Sequence, residues 1–343
     1  MRNAGFVFCA EVMKAIRLTA FNAPLVEDPI ADPRPGPDEV QLRIEACGVC
    51  HSDAHYRAGF GAIEVPRTLG HEVAGTVIEV GERVTTVAIG DRVAVHYLKS
   101  CRRCRACREA GEQFCEVGQM IGKQCDGGYA ESIVIPAENA IPIPDAVPFP
   151  IAAVMMCSTA TAYHALRVAG IRAGHNVAIL GLGGLGMSAL HLSRTLGAGS
   201  IAAVDVVPEK LAAAEALGAR VNDLTDIDIA VDFTGRPEVA TAALKALNPR
   251  GTLVIVALSE APIAFNPYRD LLGKERRIVG CSDHLRSELV ELMEFAANGT
   301  LKLDAAISRR IPLDVHAIND ALDELERGTA AVRTVIVHTM PPR

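Results

Sequence analysis

The stretch from Cys47 to Glu72, CGVCHSDAHYRAGFGAIEVPRTLGHE, is dense in side chains that bind metals or move protons. It contains Cys47, Cys50, His51, Ser52, Asp53, His55, His71 and Glu72. Thiolate sulfur and imidazole nitrogen are ligands that zinc prefers, in a tetrahedral shell that keeps one position open when the metal does chemistry. A cysteine and a histidine of this stretch supply two ligands, and spacing alone does not choose between Cys47 and Cys50. A third ligand has to come from elsewhere in the chain.

A second sulfur group follows. Cys101, Cys104, Cys107 and Cys115 stand in a C-x2-C-x2-C-x7-C pattern, four of the ten cysteines in the chain. Clustering of this kind speaks for metal rather than disulfides. Four thiolates on one loop can close a tetrahedral shell and leave no position for substrate, as in a structural zinc site. A redox pair or an iron–sulfur cluster would also use cysteines, but all four spacings suit one closed site. Arg102, Arg103, Arg105 and Arg108 interleave and are expected to offset part of the thiolate charge.

The third motif is glycine-rich. After the apolar run Val177–Leu180 come Gly181, Leu182, Gly183, Gly184, Leu185 and Gly186, opening a helical pattern. A bare GxGxxG is weak evidence, because a glycine turn in an α/β protein needs no nucleotide. Here a strand precedes it, a helix follows, and Asp205 closes the next apolar run. Glycines let the backbone approach a pyrophosphate, which the helix N-terminus attracts. Asp205 is placed to accept the adenosine ribose hydroxyls. Val206 and Val207 follow it, with no arginine to offset a 2′-phosphate, so NAD is favoured over NADP.

These groups have to be held by elements that the rest of the sequence announces. The chain has 343 residues, half of them apolar, enough for two domains with sizeable cores. A net charge of −7 argues against a nucleic-acid or anionic-membrane partner. No apolar stretch reaches membrane-spanning length without a charge, glycine or proline. A cytoplasmic metalloprotein is expected. Short alternating strands, at 40–46, 73–80, 92–95 and 132–135, make the first 150 residues mainly β. From Ile151 the sequence becomes alanine-rich and helical. Apolar runs at 177–180, 201–204, 229–233 and 252–258 then alternate with helical patterns at 184–197, 208–217 and 237–247. That alternation is the signature of an α/β doubly wound parallel sheet. A helix at 286–298 and a strand within RTVIVHT end the chain.

GVCHSD at 48–53, GHE at 70–72, the four-cysteine lobe, DGGYAE at 126–131 and GLGGLG at 181–186 resemble the zinc-dependent medium-chain alcohol dehydrogenases. The similarity runs in order from Met13 almost to the C-terminus. It implies a GroES-like β-rich catalytic domain over 1–152, to which 286–343 return, and a Rossmann NAD-binding domain over 153–285. It implies a catalytic zinc on Cys50, His71 and Cys157, a second zinc on the cysteine lobe, and two zinc ions per chain. Two cysteines and one histidine are the set known for alcohol dehydrogenase. By the same resemblance Ser52 and His55 form a proton relay, Asp53 orients His71, and Glu72 approaches the metal. His51 and Arg333 then contact the pyrophosphate, and Lys210 the adenosine ribose.

The activity so implied is reversible hydride transfer from a primary or secondary alcohol to NAD, giving an aldehyde or ketone, in a homodimer or homotetramer. A polyol- or cinnamyl-type dehydrogenase is the alternative within the class; Cys157 with the intact lobe disfavours the first and Asp205 the second. A non-catalytic nucleotide-binding relative would require a broken metal set. Cys125 and Cys281 read as packed thiols, and His164 and His191 as ordinary helical histidines. Tyr97, Phe60 and Gly61 fall in segments that line the pocket in the family, while Cys281–His284 finds no counterpart. Because the resemblance begins at Met13, residues 1–12, with Cys9, are expected to be an upstream extension.

Overall fold

The computed structural model describes residues 12–303, 307–328 and 333–338. The expected extension lies outside the described residues except for Val12, which pairs with Ala31 at an exposed strand.

The strand Glu39–Val49 is the axis of the first sheet. Val40, Leu42 and Ile44 fall on one face at the period of two and are fully buried in one core, and a bulge between Ile44 and Ala46 turns the buried Ala46 to another. It pairs antiparallel with Glu72–Val80 on one side, while Ser132–Pro136 pairs with its first half and Thr334–Val337 with its second. Arg92–Val95 and Ala140–Pro142 extend the sheet beyond Glu72–Val80, and Arg309–Ile311 extends it beyond Thr334–Val337. The end of the chain therefore returns to the first unit through these two strands. The preceding helix, Arg286–Ala297, lies instead with the helical unit, where Leu289, Leu292 and Met293 join its core.

The second sheet has six parallel strands: Asn176–Leu180, Ser200–Val204, Arg220–Val221, Ile227–Asp232, Leu247–Ile255 and Arg277–Gly280. Counted along the chain, their spatial order is 3-2-1-4-5-6, the Rossmann arrangement. Val177, Ala178, Ile179 and Leu180 are all fully buried, as a central strand covered on both faces requires. The order reverses between Asn176–Leu180 and Ile227–Asp232, and the glycine turn sits at that switch point.

One long helical run, Phe149–Ala169, joins the two units. It is long and apolar enough to cross a membrane, although Pro150 and Arg167 interrupt it as the sequence reading required, and 78% of its most apolar window is buried within the protein. It is a core helix. Its middle, Met155–Thr159, widens into a π-helical turn that contains Cys157. Such turns cluster at functional sites because they re-aim one side chain within a helix.

Candidate active site

Cys50 is the residue just before the short helix His51–Arg57, at the end of the long strand. Asp53, three residues on, reaches back to accept the Cys50 N–H at 2.9 Å, so the turn is fixed by its own sequence. This geometry separates the two candidate cysteines. Cys47 is still inside the strand, its thiol packed in the core against Gly128 and pushed up from the usual range by burial. Cys50 has left the pleat, and its Sγ lies 3.9 Å from Sγ of Cys157. His71 and Glu72 complete the group: one ligand atom from each of the four lies within 4.8 Å of the others, and all four residues are buried.

The surrounding contacts orient this group. Asp53 is fully buried and accepts from Gly70 N at 3.2 Å and from the Tyr129 hydroxyl at 2.9 Å. Its Oδ1 also lies 3.3 Å from Nδ1 of His71, off the line of a regular hydrogen bond but close enough to fix the ring. That leaves the other ring nitrogen for the cluster, the arrangement in which a carboxylate behind a histidine sets its tautomer. Hydrogen bonding to Cys157 and the neighbouring His71 pull Cys50 well below the ordinary thiol range, while Cys50 and burial push Cys157 up. Burial pushes Glu72 up to about 7 against the pull of Arg333.

Arg333 joins this cluster to the glycine turn. Its buried guanidinium donates to Glu72 Oε1, and its side chain lies against Gly184, where an added Cβ would come within 3.1 Å of Cδ. Gly48 is equally constrained, because a side chain there would collide with the Glu72 carboxylate. Glu72 Oε2 and Arg333 Nε are both buried without a partner among the described residues. An orphaned acceptor beside two thiols and an imidazole suits a cation, and an orphaned donor beside a glycine turn suits an anion. The residues present thus fit both a zinc ion and a dinucleotide pyrophosphate.

At the turn, Gly183 caps the helix Gly184–Thr195, with Leu185 half-buried in its first turn. Gly186 packs so tightly on the Gly181 carbonyl that no side chain could stand there. Asp205 departs from the expected picture. Its Oδ2 accepts from Leu182 N at 2.6 Å, and its Oδ1 accepts from Val206 and Val207 N at 2.8 and 2.9 Å. The carboxylate thus ties the glycine turn to the next loop, and only part of its acceptor capacity remains for ribose. Lys210 lies in the first turn of the following helix, Pro208–Ala216.

Ser52 lies next to the cluster, its Oγ 3.8 Å from Cys50 Sγ. His51 and His55 stack with ring centroids 4.7 Å apart, both at the exposed side of their helix. Burial, helped by His51, holds His55 below its ordinary pKa, so its imidazole is neutral at pH 7 and can accept a proton.

The cysteine lobe assembles as expected, with all four sulfurs within 4.8 Å of one another. Backbone N–H groups point at the sulfurs: Cys101 N donates to Cys115 Sγ at 3.2 Å, and Cys104 N to Cys101 Sγ at 3.3 Å. Backbone donors from Arg103 and Cys104 lower Cys101 to about 6, while desolvation raises Cys107 to about 12. The interleaved arginines behave differently from the sequence expectation. Arg102 pairs with Glu138 and Arg105 with Glu109, so N–H dipoles rather than those two guanidinium groups face the thiolates.

Several contacts around the cluster were not assigned from the sequence. Tyr129 and Gly70 hold Asp53, and Gly48 makes room for Glu72. On the wall beyond His71, Tyr97 donates to Asp283 and packs against His284. The resemblance carried Tyr129 in DGGYAE, Gly48 in GVCHSD, Gly70 in GHE and Tyr97 in a pocket-lining segment, but none of these contacts.

The chain matches the alcohol dehydrogenase GroES-like domain over residues 36–145 and the zinc-binding dehydrogenase family over residues 184–298. An alcohol dehydrogenase of Geobacillus stearothermophilus is 36% identical over 344 aligned residues, covering 94% of this chain and 99% of the relative. A NAD-dependent alcohol dehydrogenase of Saccharolobus solfataricus is 30% identical, covering 95% and 100%. The solved structure of a cobalt- and zinc-bound thermostable alcohol dehydrogenase from Pyrobaculum aerophilum superposes with a TM-score of 0.85 at 28% identity, covering 95% and 100%.

Proposed function

We propose that this chain, which belongs to the zinc-dependent medium-chain alcohol dehydrogenase family, transfers hydride reversibly between a primary or secondary alcohol and NAD. The observation that carries the reading is Arg333. One buried guanidinium bonds the carboxylate of a cysteine–histidine cluster and also touches the glycine turn of a Rossmann sheet. A metal site and a nucleotide site joined in this way suit a reaction between substrate on one and cofactor on the other.

In this reading Cys50, His71 and Cys157 would hold the catalytic zinc, and Cys101, Cys104, Cys107 and Cys115 a structural zinc, making two per chain. When bound, the catalytic ion supplies Lewis acidity and NAD the hydride acceptor. The protein's own residues do the rest. Asp53 fixes the His71 ring and the Cys50 turn. Ser52, beside Cys50, passes the alcohol proton outward, and His55 accepts it at the exposed edge of its helix. Glu72 and Arg333 keep each other's charge compensated in a buried site. Gly181, Gly183, Gly184, Leu185 and Gly186 take the pyrophosphate with Arg333 and His51, while Asp205 and Lys210 meet the adenosine ribose.

We place the catalytic domain at 1–152 with the strands from Arg309 onward, and the nucleotide domain between them. A cytoplasmic homodimer or homotetramer fits this reading. Arg277–Gly280 is an outer strand, and Tyr268 and Leu272 are exposed in the segment before it. Incubating the protein with NAD and a panel of primary, secondary and aromatic alcohols, while following NADH absorbance, tests the proposal. Reduction of NAD that stops on chelation supports it, and no reduction with any alcohol overturns it.

A further inference from the structure

The loop after the outermost parallel strand carries a carboxylate that the reaction as described does not use. Asp283 stands three residues past Gly280, at the C-terminal end of the sheet, where open α/β sheets bind their ligands. Its backbone is left-handed, φ 51°, a conformation that L-residues adopt at a cost and that concentrates at functional sites. The side chain is half-buried, and its Oδ1 accepts a 2.9 Å hydrogen bond from the Tyr97 hydroxyl.

Tyr97 belongs to the wall of the metal cluster. Its ring meets the His71 imidazole edge-on at 5.1 Å between centroids and meets His284 in the same way on its other side, also at 5.1 Å. His284 and His96 are buried behind it, and neither ring nitrogen of His284 has a protein partner. Burial holds both imidazoles below their ordinary pKa, so they back the tyrosine as neutral rings. The Tyr97 hydroxyl is thereby aimed at Asp283. Among the described residues, the second carboxylate oxygen, Oδ2, meets the exposed Ser282 hydroxyl alone, at 3.3 Å. Beside the ring that packs on His71 there is therefore an acceptor with spare capacity, to which a simple aliphatic alcohol would offer no partner.

We propose that Asp283, held by Tyr97 whose ring meets His71, is a specificity-determining residue that accepts a hydrogen bond from a second hydroxyl or ammonium group on the alcohol. The inference rests on the reading that the buried cluster oxidises alcohols. A hydrogen bond to a charged acceptor, made by one substrate and missing in its matched analogue, separates the two by about tenfold or more in kcat/KM.

The test compares butan-1-ol, butane-1,4-diol and 4-aminobutan-1-ol, with the corresponding propane and pentane series, in the unmodified protein and in Asp283→Asn. The expected result is at least one chain length at which the diol or the amino alcohol exceeds the plain alcohol by about tenfold or more. The diol and amino-alcohol arms show which donor the site takes. Asp283→Asn should bring that ratio to within about threefold of parity, a change in ratio that a merely structural role would not produce. Should the variant fail to fold, the unmodified protein still decides the matter. If plain alcohols match their analogues at every chain length, the inference falls while the oxidoreductase reading stands. If no alcohol reduces NAD, that reading falls and takes the inference with it.

Discussion

Cys50, His71 and Cys157 come from three separate elements and are buried, whereas Cys101, Cys104, Cys107 and Cys115 lie on one short loop and are half-buried. The lobe needs little tertiary structure to assemble. Its spacings bring the sulfurs together, and neighbouring backbone N–H groups favour thiolate at Cys101 and Cys104. The buried cluster needs the whole fold: a strand end for Cys50, the start of a second strand for His71 and a π-helical turn for Cys157. It also carries two buried carboxylates, Asp53 and Glu72, each held by partners distant in sequence. The contrast separates two properties that are easily confused. Burial keeps water and competing ions out, while closure of the coordination shell decides whether a metal can take substrate. In the proposed reading the half-buried lobe would close its shell with four thiolates, and the buried cluster would keep a position open beside Cys50, His71 and Cys157.

The sharpest way to break the comparison is to remove one ligand from each side. His71→Ala should lower kcat/KM by at least ~10³-fold, because a metal supplies several kcal/mol of transition-state stabilisation and each ~1.4 kcal/mol is tenfold. Steady-state kinetics with zinc analysis checks this. Full zinc content with near-normal turnover would detach the cluster from the chemistry.

Next comes the nucleotide side. NAD should be preferred to NADP by at least ~100-fold in kcat/KM, since a 2′-phosphate meets the Asp205 carboxylate with Val206 and Val207 in place of an arginine. Because Asp205 also ties Leu182 N to the loop at 206–207, Asp205→Gly should weaken NAD and lower thermal stability together. Unchanged stability in that variant would mean that the tie is dispensable.

A smaller, graded effect is expected at His55. His55→Gln should slow alcohol oxidation by about 10- to 100-fold, at the low end of what a positioned base supplies. Its imidazole is neutral at pH 7, so the defect should be full there and above, and should narrow as acid protonates His55 in the unmodified protein. A pH profile superimposable on that of the unmodified protein would place the proton on another route. Smallest in kinetic terms is Cys104→Ala in the lobe. Turnover in the cold should stay within about threefold while the melting temperature falls by several degrees, because structural zinc contributes to folding. The reverse pattern would exchange the roles of the two clusters.

Local signals made one side of this comparison legible and left much of the other hidden. The lobe could be read as a closed site from spacing, and the Rossmann sheet from alternating runs around the glycine turn. In the structure the run expected at 252–258 begins at Leu247 and ends at Ile255, because pairing with Ile227–Asp232 sets its limits rather than apolar content. Cys157 could not be found by spacing, since a π-helical turn has no sequence period, and it entered only through the family resemblance. The choice of Cys50 over Cys47 depends on where the strand stops and the helix starts, a boundary that the pattern leaves uncertain by a few residues. Asp205 stands beside the glycine turn, and its backbone donors come from a loop that no local motif describes. Arg333, Tyr129 and Asp283 meet their partners across strands and between units, and contacts of that kind leave no period in the chain.

The buried cluster is expected to be an open, working metal site and the lobe a closed one. Zinc release into excess chelator, timed against turnover and the circular dichroism of the same sample, tests it most directly. The account predicts two zinc ions per chain, one leaving early and taking turnover with it while the fold persists, the other retained until the protein unfolds. One or no zinc in fresh protein, or turnover that survives loss of the first ion, would contradict it.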